Sequence, residues 1–293
     1  MSVPRMMTAM ITPFTDDLQV NYAKAGEIAE YLCQNGTEGL VVCGTTGESP
    51  VLSHEEKLKL FAVVRDSVGG KIPVWAGTGS NNTAAAIELS REAEKLGVDG
   101  IMLVTPYYNK PSQEGLYQHF KQIAQNISLP VMLYNIPGRS SINLLPETVA
   151  RLAEVKNITA IKEASGNMDQ MTQLKTLLPD DFSIYSGDDS MTLPMMALGA
   201  VGVVSIASHL VGKEMRKMID AFVQGNGAEA LNIHKKLFPI FRGLFITTNP
   251  VPLKEALNMM GMQVGGFRPP LCHAEEKELV AIKKMLIDFG LLA

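Results

Sequence analysis

Short, almost continuously apolar runs recur through the first two-thirds of the chain, and longer amphipathic stretches separate them. A run that is apolar at nearly every position predicts a β-strand buried on both faces, which is typical of a parallel sheet. The predicted strands are residues 7–12, 39–43, 73–76, 100–104, 130–134, 158–162, 182–185 and 201–206. Their spacing of roughly 20 to 35 residues leaves room for a helix after each strand.

The stretches between the runs carry apolar residues at helical spacing, for example over residues 23–34, 53–68, 112–127 and 146–153. Ser53, with Glu56 three residues later, predicts a capping box at the start of the second of these helices. Four further helices are predicted after the last strand, over residues 213–223, 228–245, 250–260 and 275–289. Asn249 marks the predicted start of the third, because proline, here Pro250, is favoured at the first helical position.

Eight strand–helix units predict an α/β protein: a (β/α)₈ TIM barrel over residues 1–224, with a C-terminal helical extension over residues 225–293. The alternative is an open doubly wound sheet, which usually carries a glycine-rich dinucleotide turn after its first strand. Residues 12–14, which end the first strand, contain no glycine, and the turn at residues 77–80 lacks the last glycine of that motif. The barrel is therefore favoured.

Composition and charge narrow the range of partners. The 293 residues are 46% hydrophobic and 19% charged, with a net charge of −4, which is typical of a globular protein. Because we find no basic stripe, neither nucleic acid nor an anionic membrane surface is favoured as a partner. We expect small-molecule partners.

The cysteines and histidines give no sign of a metal or disulfide site. Cys33, Cys43 and Cys272 are odd in number and lack the CxxC spacing, and the five histidines lack the spacing of metal ligands. The apolar part of residues 1–14 is too short for a secretory signal. We therefore expect reduced thiols, no metal and a cytoplasmic location.

Lys162 is the most informative residue, because it ends a predicted buried strand that is otherwise mostly apolar. Burial lowers the pKa of a lysine, and a neutral amine is a nucleophile toward carbonyl carbon. At the ordinary pKa of about 10.4, only one lysine in roughly 2500 is neutral at pH 7. The alternative is a lysine that reaches solvent or pairs with a carboxylate, for which Glu163 is the adjacent candidate.

Polar residues also follow the other predicted strands, at the end of a barrel where active sites lie. The segments are residues 44–48, 105–109, 134–139 and 186–189. Each has a structural alternative: the glycines of residues 44–47 suit a tight turn, Tyr134 suits a core and Arg139 suits a solvated loop. Asp188 and Asp189 suit either a metal pair or a helix cap.

Taken together, these residues fit one chemistry. An amine attacks a keto acid, the donors of the Gly-Thr-Thr-Gly turn at residues 44–47 hold its carboxylate, and a tyrosine moves protons. Loss of an α-proton from the resulting imine gives an enamine, which is a carbon nucleophile. This chemistry needs no cofactor, so we expect none.

The motifs at residues 8–14, 44–48, 134–139 and 161–163 occur in this combination in one superfamily, which the chain resembles over nearly its whole length. It is the dihydrodipicolinate synthase / N-acetylneuraminate lyase superfamily of pyruvate-dependent class I barrel aldolases. Residues 104–115 and Arg139 are most similar to the synthase branch. That branch condenses pyruvate with L-aspartate 4-semialdehyde to give 4-hydroxy-tetrahydrodipicolinate, in lysine and diaminopimelate biosynthesis.

The resemblance also implies roles for individual residues. Lys162 would form the Schiff base with pyruvate, and Tyr134 would be the proton donor and acceptor. The remaining implied roles are a proton relay through Thr45 and Tyr108, carboxylate binding of pyruvate by Thr46 with the backbone of Gly187 and Val204, and carboxylate binding of the semialdehyde by Arg139. Tyr108 would be offered by the neighbouring subunit of a tight dimer, and two such dimers would form a homotetramer.

The chain departs from the family's pattern at a regulatory site that binds lysine. Lysine-inhibited members carry a second histidine where this chain has Lys57, and a glutamate where it has Ala85. The family's other residues at this site remain: Ser49, His54, Asn81 and Tyr107. A cation in the place where a cationic ligand binds, and a missing carboxylate, weaken binding. We therefore expect a vestigial site and little or no feedback inhibition.

Two alternatives to the synthase activity remain open. One is another pyruvate-forming aldolase of the same chemistry, which cleaves a 2-keto-3-deoxy sugar acid or sialic acid. The other is a barrel that binds a keto acid without catalysis. Arg139 separates the first of these from the synthase, and a covalent pyruvate adduct excludes the second.

Overall fold

The predicted barrel is confirmed. The computed structural model describes residues 4–292, and its eight strands form one closed barrel in chain order. The strands are β1 (Met6–Ala9), β2 (Gly39–Val42), β3 (Val74–Gly77), β4 (Gly100–Val104), β5 (Val131–Asn135), β6 (Ile158–Glu163), β7 (Ser183–Ser186) and β8 (Gly202–Ser205). Nearly every strand residue is buried, as expected of strands covered on both faces.

Most strand ends lie within one or two residues of the prediction, and the largest difference is at the first strand. β1 stops at Ala9 rather than at residue 12, because the backbone N–H of Ile11 donates to Nε2 of His209 at 3.3 Å instead of continuing a strand ladder. In β6 the register places Lys162 opposite Tyr134 of β5 and Tyr185 of β7.

The helices lie between and after the strands. They are α1 (Tyr22–Gln34), α2 (His54–Val68), α3 (Thr83–Lys95), α4 (Gln113–Ala124), α5 (Pro137–Ser140), α6 (Pro146–Ala153), α7 (Met168–Leu177), α8 (Thr192–Ala197), α9 (Ser208–Val223), α10 (Gly227–Gly243), α11 (Val251–Met259) and α12 (Glu276–Asp288). The predicted capping box is present, since the Ser53 side chain accepts from the Glu56 N–H and the Glu56 side chain accepts from the Ser53 N–H.

The described residues divide into two compact units. The first contains residues 4–5 and Pro73–Val204, and therefore most of the strands. Its helices α3, α4, α6 and α7 pack successively, with α4 against α3 and α6, and α6 against α7. Gly100 is required in this unit because a Cβ there would lie 2.6 Å from the Trp75 ring.

The second unit contains Met6–Ile72 and residues 205–292. Within it α1 packs on α2, α9 on α10, and α12 on both α10 and α11. Its helix α11 is buried from Val251 to Leu257, around its whole circumference. The predicted start of this helix at Asn249 and Pro250 is wrong by one residue, because the Asn249 side chain makes a long-range hydrogen bond instead of capping α11.

Two further findings concern residues 4–292. No helix in this part of the chain is long and apolar enough to cross a membrane, and no group of three or more His, Cys, Asp and Glu side chains is arranged to hold a metal ion. The proposed boundary between residues 224 and 225 stays a prediction, and residues 1–3 and 293 of those two segments lie outside the described part.

Candidate active site

Lys162 lies near the end of β6 with 5% of its surface exposed. Its Nζ stands 4.3 Å from the centre of the Tyr134 ring, which belongs to β5. Alternation along β6 turns Lys162 to one face of the strand and Ile161 and Glu163 to the other. The amine is therefore held against an aromatic face and away from water, as the sequence predicted.

Burial lowers the pKa of Lys162 to about 8. The charge of Asp189 opposes this shift by favouring the ammonium form, and the charge of Arg139 adds to it. At a pKa of about 8, roughly one amine in ten is neutral at pH 7, a rise of about two hundred-fold over an ordinary lysine. The site thus supplies a nucleophilic amine near neutral pH.

Gly187 follows β7 and closes around the lysine side chain. A Cβ at Gly187 would lie 3.1 Å from Cε of Lys162 and 2.6 Å from Cβ of Ala164. Only glycine fits at this distance, so the backbone of residue 187 approaches the lysine directly. Val204, the other predicted backbone contact for the substrate, lies buried in β8.

Glu163 is not the partner of Lys162. Its Oε2 accepts hydrogen bonds from Nδ2 of Asn135 at 3.0 Å and Nε2 of Gln170 at 3.1 Å, and its Oε1 accepts from the backbone N–H of Ser165 at 2.6 Å. The alternative of a lysine paired with the adjacent carboxylate is therefore wrong, because the two side chains point to opposite faces of β6 and Glu163 is already held by three donors.

Arg139 lies in the short helix α5, just after β5, and its side chain is exposed. Asp188 is the cap of a short 3₁₀ helix, where its Oδ1 accepts from both the backbone N–H and the hydroxyl of Ser190 at 2.8 Å. Asp189 is 2% exposed and acts on the charge of Lys162. Asp188 therefore caps the 3₁₀ helix Asp189–Met191 and not α8, as was predicted, since α8 follows Met191 without a side-chain cap. The influence of Asp189 on the amine was not predicted.

Tyr108 has a different environment from the other candidates. It is 89% exposed, and its backbone has a φ of +72°, in the left-handed region that most residues avoid. The neighbouring loop is fastened by Asn81, whose Nδ2 donates to the carbonyl of Tyr107 at 3.2 Å, and by Asn109, whose Nδ2 donates to the carbonyl of Asn81 at 3.0 Å. These hydrogen bonds hold the backbone of the loop, and the Tyr108 ring is exposed.

The predicted donor turn, residues 44–48, follows β2 in the second unit. The backbone N–H groups of Gly47 and Glu48 donate to the carbonyls of Gly44 and Thr45, both at 3.1 Å. Thr46 is buried, Thr45 is half-buried, and the hydroxyl of Thr12 donates to the carbonyl of Gly47 at 2.7 Å. The turn is therefore a fixed loop that carries two adjacent threonine hydroxyls.

A buried ion pair anchors this turn and was not predicted. Nζ of Lys254, in α11, donates to Oε1 of Glu48 at 2.8 Å, and both side chains are 0% exposed. The same amine donates to the carbonyls of Thr12, at 3.1 Å, and of Gly266. The sequence gives no local sign of this ion pair, because Lys254 and Glu48 are 206 positions apart.

The residues of the expected lysine-regulated site are found in both units. In the second unit, Ser49 begins a 3₁₀ turn, His54 begins α2, and Lys57 is half-buried on that helix. Burial lowers the pKa of Lys57, and burial raises the pKa of the nearby Cys43 thiol to about 12. In the first unit, Asn81 and Tyr107 are joined by the hydrogen bond already described, and Ala85 is exposed on α3.

Comparison with known proteins gives matches over almost the whole chain. The model of the dihydrodipicolinate synthetase family matches residues 2–288. A 4-hydroxy-tetrahydrodipicolinate synthase from Desulforamulus reducens is 59% identical over 289 residues, which cover 98% of both chains. One from Moorella thermoacetica is 55% identical over 288 residues, 98% of this chain and 99% of the relative.

Solved structures give the same result. A dihydrodipicolinate synthase from Bacillus anthracis is 49% identical and has a TM-score of 0.95, with 98% of each chain covered. A dihydrodipicolinate synthase from Cyanidioschyzon merolae, determined with lysine bound, is 46% identical and has a TM-score of 0.97, again with 98% of each chain covered.

Proposed function

The chain belongs to the dihydrodipicolinate synthetase family, and from that premise we propose that it condenses pyruvate with L-aspartate 4-semialdehyde through a Schiff base on Lys162. The activity is that of its relatives named 4-hydroxy-tetrahydrodipicolinate synthase, a lyase activity of lysine and diaminopimelate biosynthesis. The observation that carries the assignment to Lys162 is its buried amine, with a pKa of about 8, over the ring of Tyr134.

The reaction begins when the neutral amine of Lys162 attacks C2 of pyruvate. The carbonyl oxygen takes a proton, and the carbinolamine loses water to give an imine. Tyr134 serves as the proton donor and acceptor, a role supported by its position beside the amine. Because Gly187 has no Cβ, its backbone can lie directly against Cε of Lys162.

Carbon–carbon bond formation follows. The imine loses a proton from C3 of the pyruvyl group and becomes an enamine, whose carbon bonds to the aldehyde carbon of the semialdehyde. The aldehyde oxygen takes a proton and becomes the 4-hydroxyl group. The amine of the semialdehyde then attacks the imine carbon, the ring closes, and Lys162 leaves as a free amine. Arg139, an exposed cation next to β5, binds the carboxylate of the semialdehyde.

The donor turn binds the carboxylate of pyruvate through Thr46, with the backbone of Gly187 and Val204. Thr45 passes protons between Tyr134 and Tyr108, and the neighbouring subunit of a tight dimer supplies Tyr108. The exposure of the Tyr108 ring supports a role outside its own subunit. The assembly is a homotetramer of two tight dimers, and the enzyme works in the cytoplasm without a cofactor.

Lysine inhibits this enzyme weakly or not at all. The half-buried ammonium of Lys57 supports this, because it repels a cationic ligand, and Ala85 offers no carboxylate to attract one.

Covalent trapping tests the proposal. Protein incubated with pyruvate and borohydride is expected to gain the mass of one reduced pyruvyl group, and Lys162→Ala is expected to gain none. Lys156→Ala, which removes an exposed lysine two residues before β6, is the matched control and should trap normally. Turnover of L-aspartate 4-semialdehyde is measured on the same samples. An untrapped wild-type protein, or trapping in Lys162→Ala, would contradict the mechanism.

A further inference from the structure

The donor turn is held by a residue from the far end of the chain. Nδ2 of Asn249, just before α11, donates to Oγ1 of Thr46 at 3.0 Å, and the two residues are 203 positions apart in sequence. Both are buried, Thr46 at 2% and Asn249 at 4% exposure. A hydrogen bond between buried side chains that requires two distant segments to meet is a specific feature of the fold rather than a local turn contact.

The direction of this hydrogen bond matters for the chemistry of Thr46. A threonine hydroxyl has one proton to donate and lone pairs that accept. When the Asn249 amide donates to this oxygen, the hydroxyl proton is left to donate elsewhere. A carboxylate only accepts hydrogen bonds, so a hydroxyl can bind it only through that proton.

A second contact holds the same turn through another side chain. Lys254, five residues after Asn249, binds Glu48, two residues after Thr46. Glu48 has a φ of +54°, an unfavourable conformation for a residue with a Cβ, and its Oε2 also accepts from the backbone N–H of Arg268 at 3.2 Å. The segment from Asn249 to Lys254 therefore holds the turn through two of its side chains, those of Thr46 and Glu48.

We propose that Asn249 is a positioning residue that orients the Thr46 hydroxyl as a donor to the substrate carboxylate, while the Lys254–Glu48 pair fixes the turn that carries it. This inference rests on the proposed role of Thr46 in binding pyruvate. Asn249 itself acts through Thr46, so its loss weakens pyruvate binding more than the later chemical steps.

The substitution Asn249→Asp tests the direction of the hydrogen bond, because it keeps the shape of the side chain. An ionised carboxylate accepts the Thr46 proton and repels pyruvate, whereas a protonated carboxyl group can still donate to Oγ1. Burial raises the pKa of such a carboxyl. At pH 8 we expect the pyruvate KM of the variant to be roughly ten to a hundred times that of the wild type. As the pH drops to 6, this ratio of the two KM values should fall toward one.

A matched control lies in α11, the helix that follows Asn249. Asn258 in α11 bonds the backbone of Val264 and Gly265 rather than Thr46. Asn258→Asp introduces the same charge within α11 and is expected to leave the pyruvate KM within about two-fold of wild type, with kcat unchanged. A merely structural effect of the Asn249 change would lower the melting temperature without shifting the pH profile of the pyruvate KM.

A double-mutant cycle covers the case in which Asn249→Asp does not fold. The single variants Asn249→Ala and Thr46→Val and the double variant are compared by pyruvate KM and by borohydride trapping against pyruvate concentration. Asn249→Ala is expected to add little once Thr46 is already valine. Additive effects, or an unchanged pyruvate KM in Asn249→Asp at pH 8, would overturn the inference. Failure of the wild type to trap pyruvate would instead overturn the proposed function.

Discussion

Two buried lysines of this chain have opposite chemical roles. Lys162 is 5% exposed and Lys254 is 0% exposed, and each amine lies within 5 Å of an aromatic ring centre, 4.3 Å from Tyr134 for Lys162 and 4.4 Å from Phe14 for Lys254. Burial lowers the pKa of both. Burial and an aromatic neighbour therefore do not distinguish a nucleophilic lysine from a structural one.

The difference lies in the acceptors that surround each amine. Lys254 donates to the Glu48 carboxylate and to two backbone carbonyls, one for each proton of an ammonium group. Its neighbours therefore favour the charged form against the effect of burial. For Lys162 the nearby charges of Asp189 and Arg139 act in opposite directions, and burial prevails. A buried lysine is suited to act as a nucleophile where a nearby carboxylate only partly offsets the effect of burial, and to a structural role where three acceptors bind the protons of its ammonium group.

The same substitution at both positions tests this contrast most strongly. Lys254→Met leaves the Glu48 carboxylate buried without its cation, which is expected to cost about 3–5 kcal/mol of unfolding free energy. Lys162→Met removes an amine that is costly to keep charged, so it should stabilise the protein at pH 7 by about 1–3 kcal/mol, while it abolishes activity. Urea unfolding at a fixed protein concentration measures both.

The double variant Lys254→Met with Glu48→Gln is the control for the first change. Because it removes the stranded charge, it should recover part of the lost stability. Equal destabilisation by the two methionine substitutions would show that the two amines have similar environments, and the comparison would fail.

Whether a feature of the fold could be predicted depends on how far apart in sequence its interacting residues are. The strands could be predicted because a buried strand is a run of consecutive apolar residues. The capping box could be predicted because its two residues, Ser53 and Glu56, are three positions apart. Lys162 was found because it interrupts an apolar run. Each of these signals is local in sequence.

The unpredicted contacts are long-range. From the sequence, Lys254 is only one polar residue of a predicted helix. Its partner Glu48 is 206 positions away in the chain, and the contact is visible only in the folded structure. Asn249 before a proline has a strong local signal for a helix start, and its contact with Thr46 overrides that signal. Glu163 shows the converse, since it is adjacent to Lys162 in sequence and is bound instead by Asn135 and Gln170.

Removing the cation near Lys162 is expected to have the next largest effect. Arg139→Ala should lower turnover of L-aspartate 4-semialdehyde roughly a hundred-fold, because the carboxylate of that substrate loses its charged partner. Pyruvate trapping by borohydride should persist, and its pH midpoint should rise, since the charge of Arg139 helps to lower the pKa of Lys162. Arg151→Ala, on α6, is the control and should change neither the turnover of the semialdehyde nor the pH midpoint of pyruvate trapping. Loss of trapping in Arg139→Ala would mean that this arginine serves the first substrate.

The pH dependence of trapping should reveal the lowered pKa of Lys162. Below a pKa of about 8, the neutral fraction of the amine, and with it the initial trapping rate, should rise about ten-fold per pH unit and level off above pH 8. The stability of the folded state changes in a different pH range. Since the unfolded lysine keeps its proton up to about pH 10.5, the folded state gains stability as the pH rises from 8 toward that value, and Lys162→Met should lack this gain. A trapping rate that rises steadily to pH 10 would contradict the assignment.

The smallest expected effect concerns Lys57. It is a third lysine whose pKa is lowered by burial, but its burial is only partial. Because its burial is incomplete, water still solvates its ammonium group. Its positive charge should then exclude a cationic effector, so submillimolar lysine is expected to reduce the initial rate by less than about two-fold. Lys57→His with Ala85→Glu removes this charge at pH 8 and adds a carboxylate, and it should increase the inhibition measurably. Near-normal inhibition of the wild type by submillimolar lysine would show that the ammonium group of Lys57 does not repel the ligand.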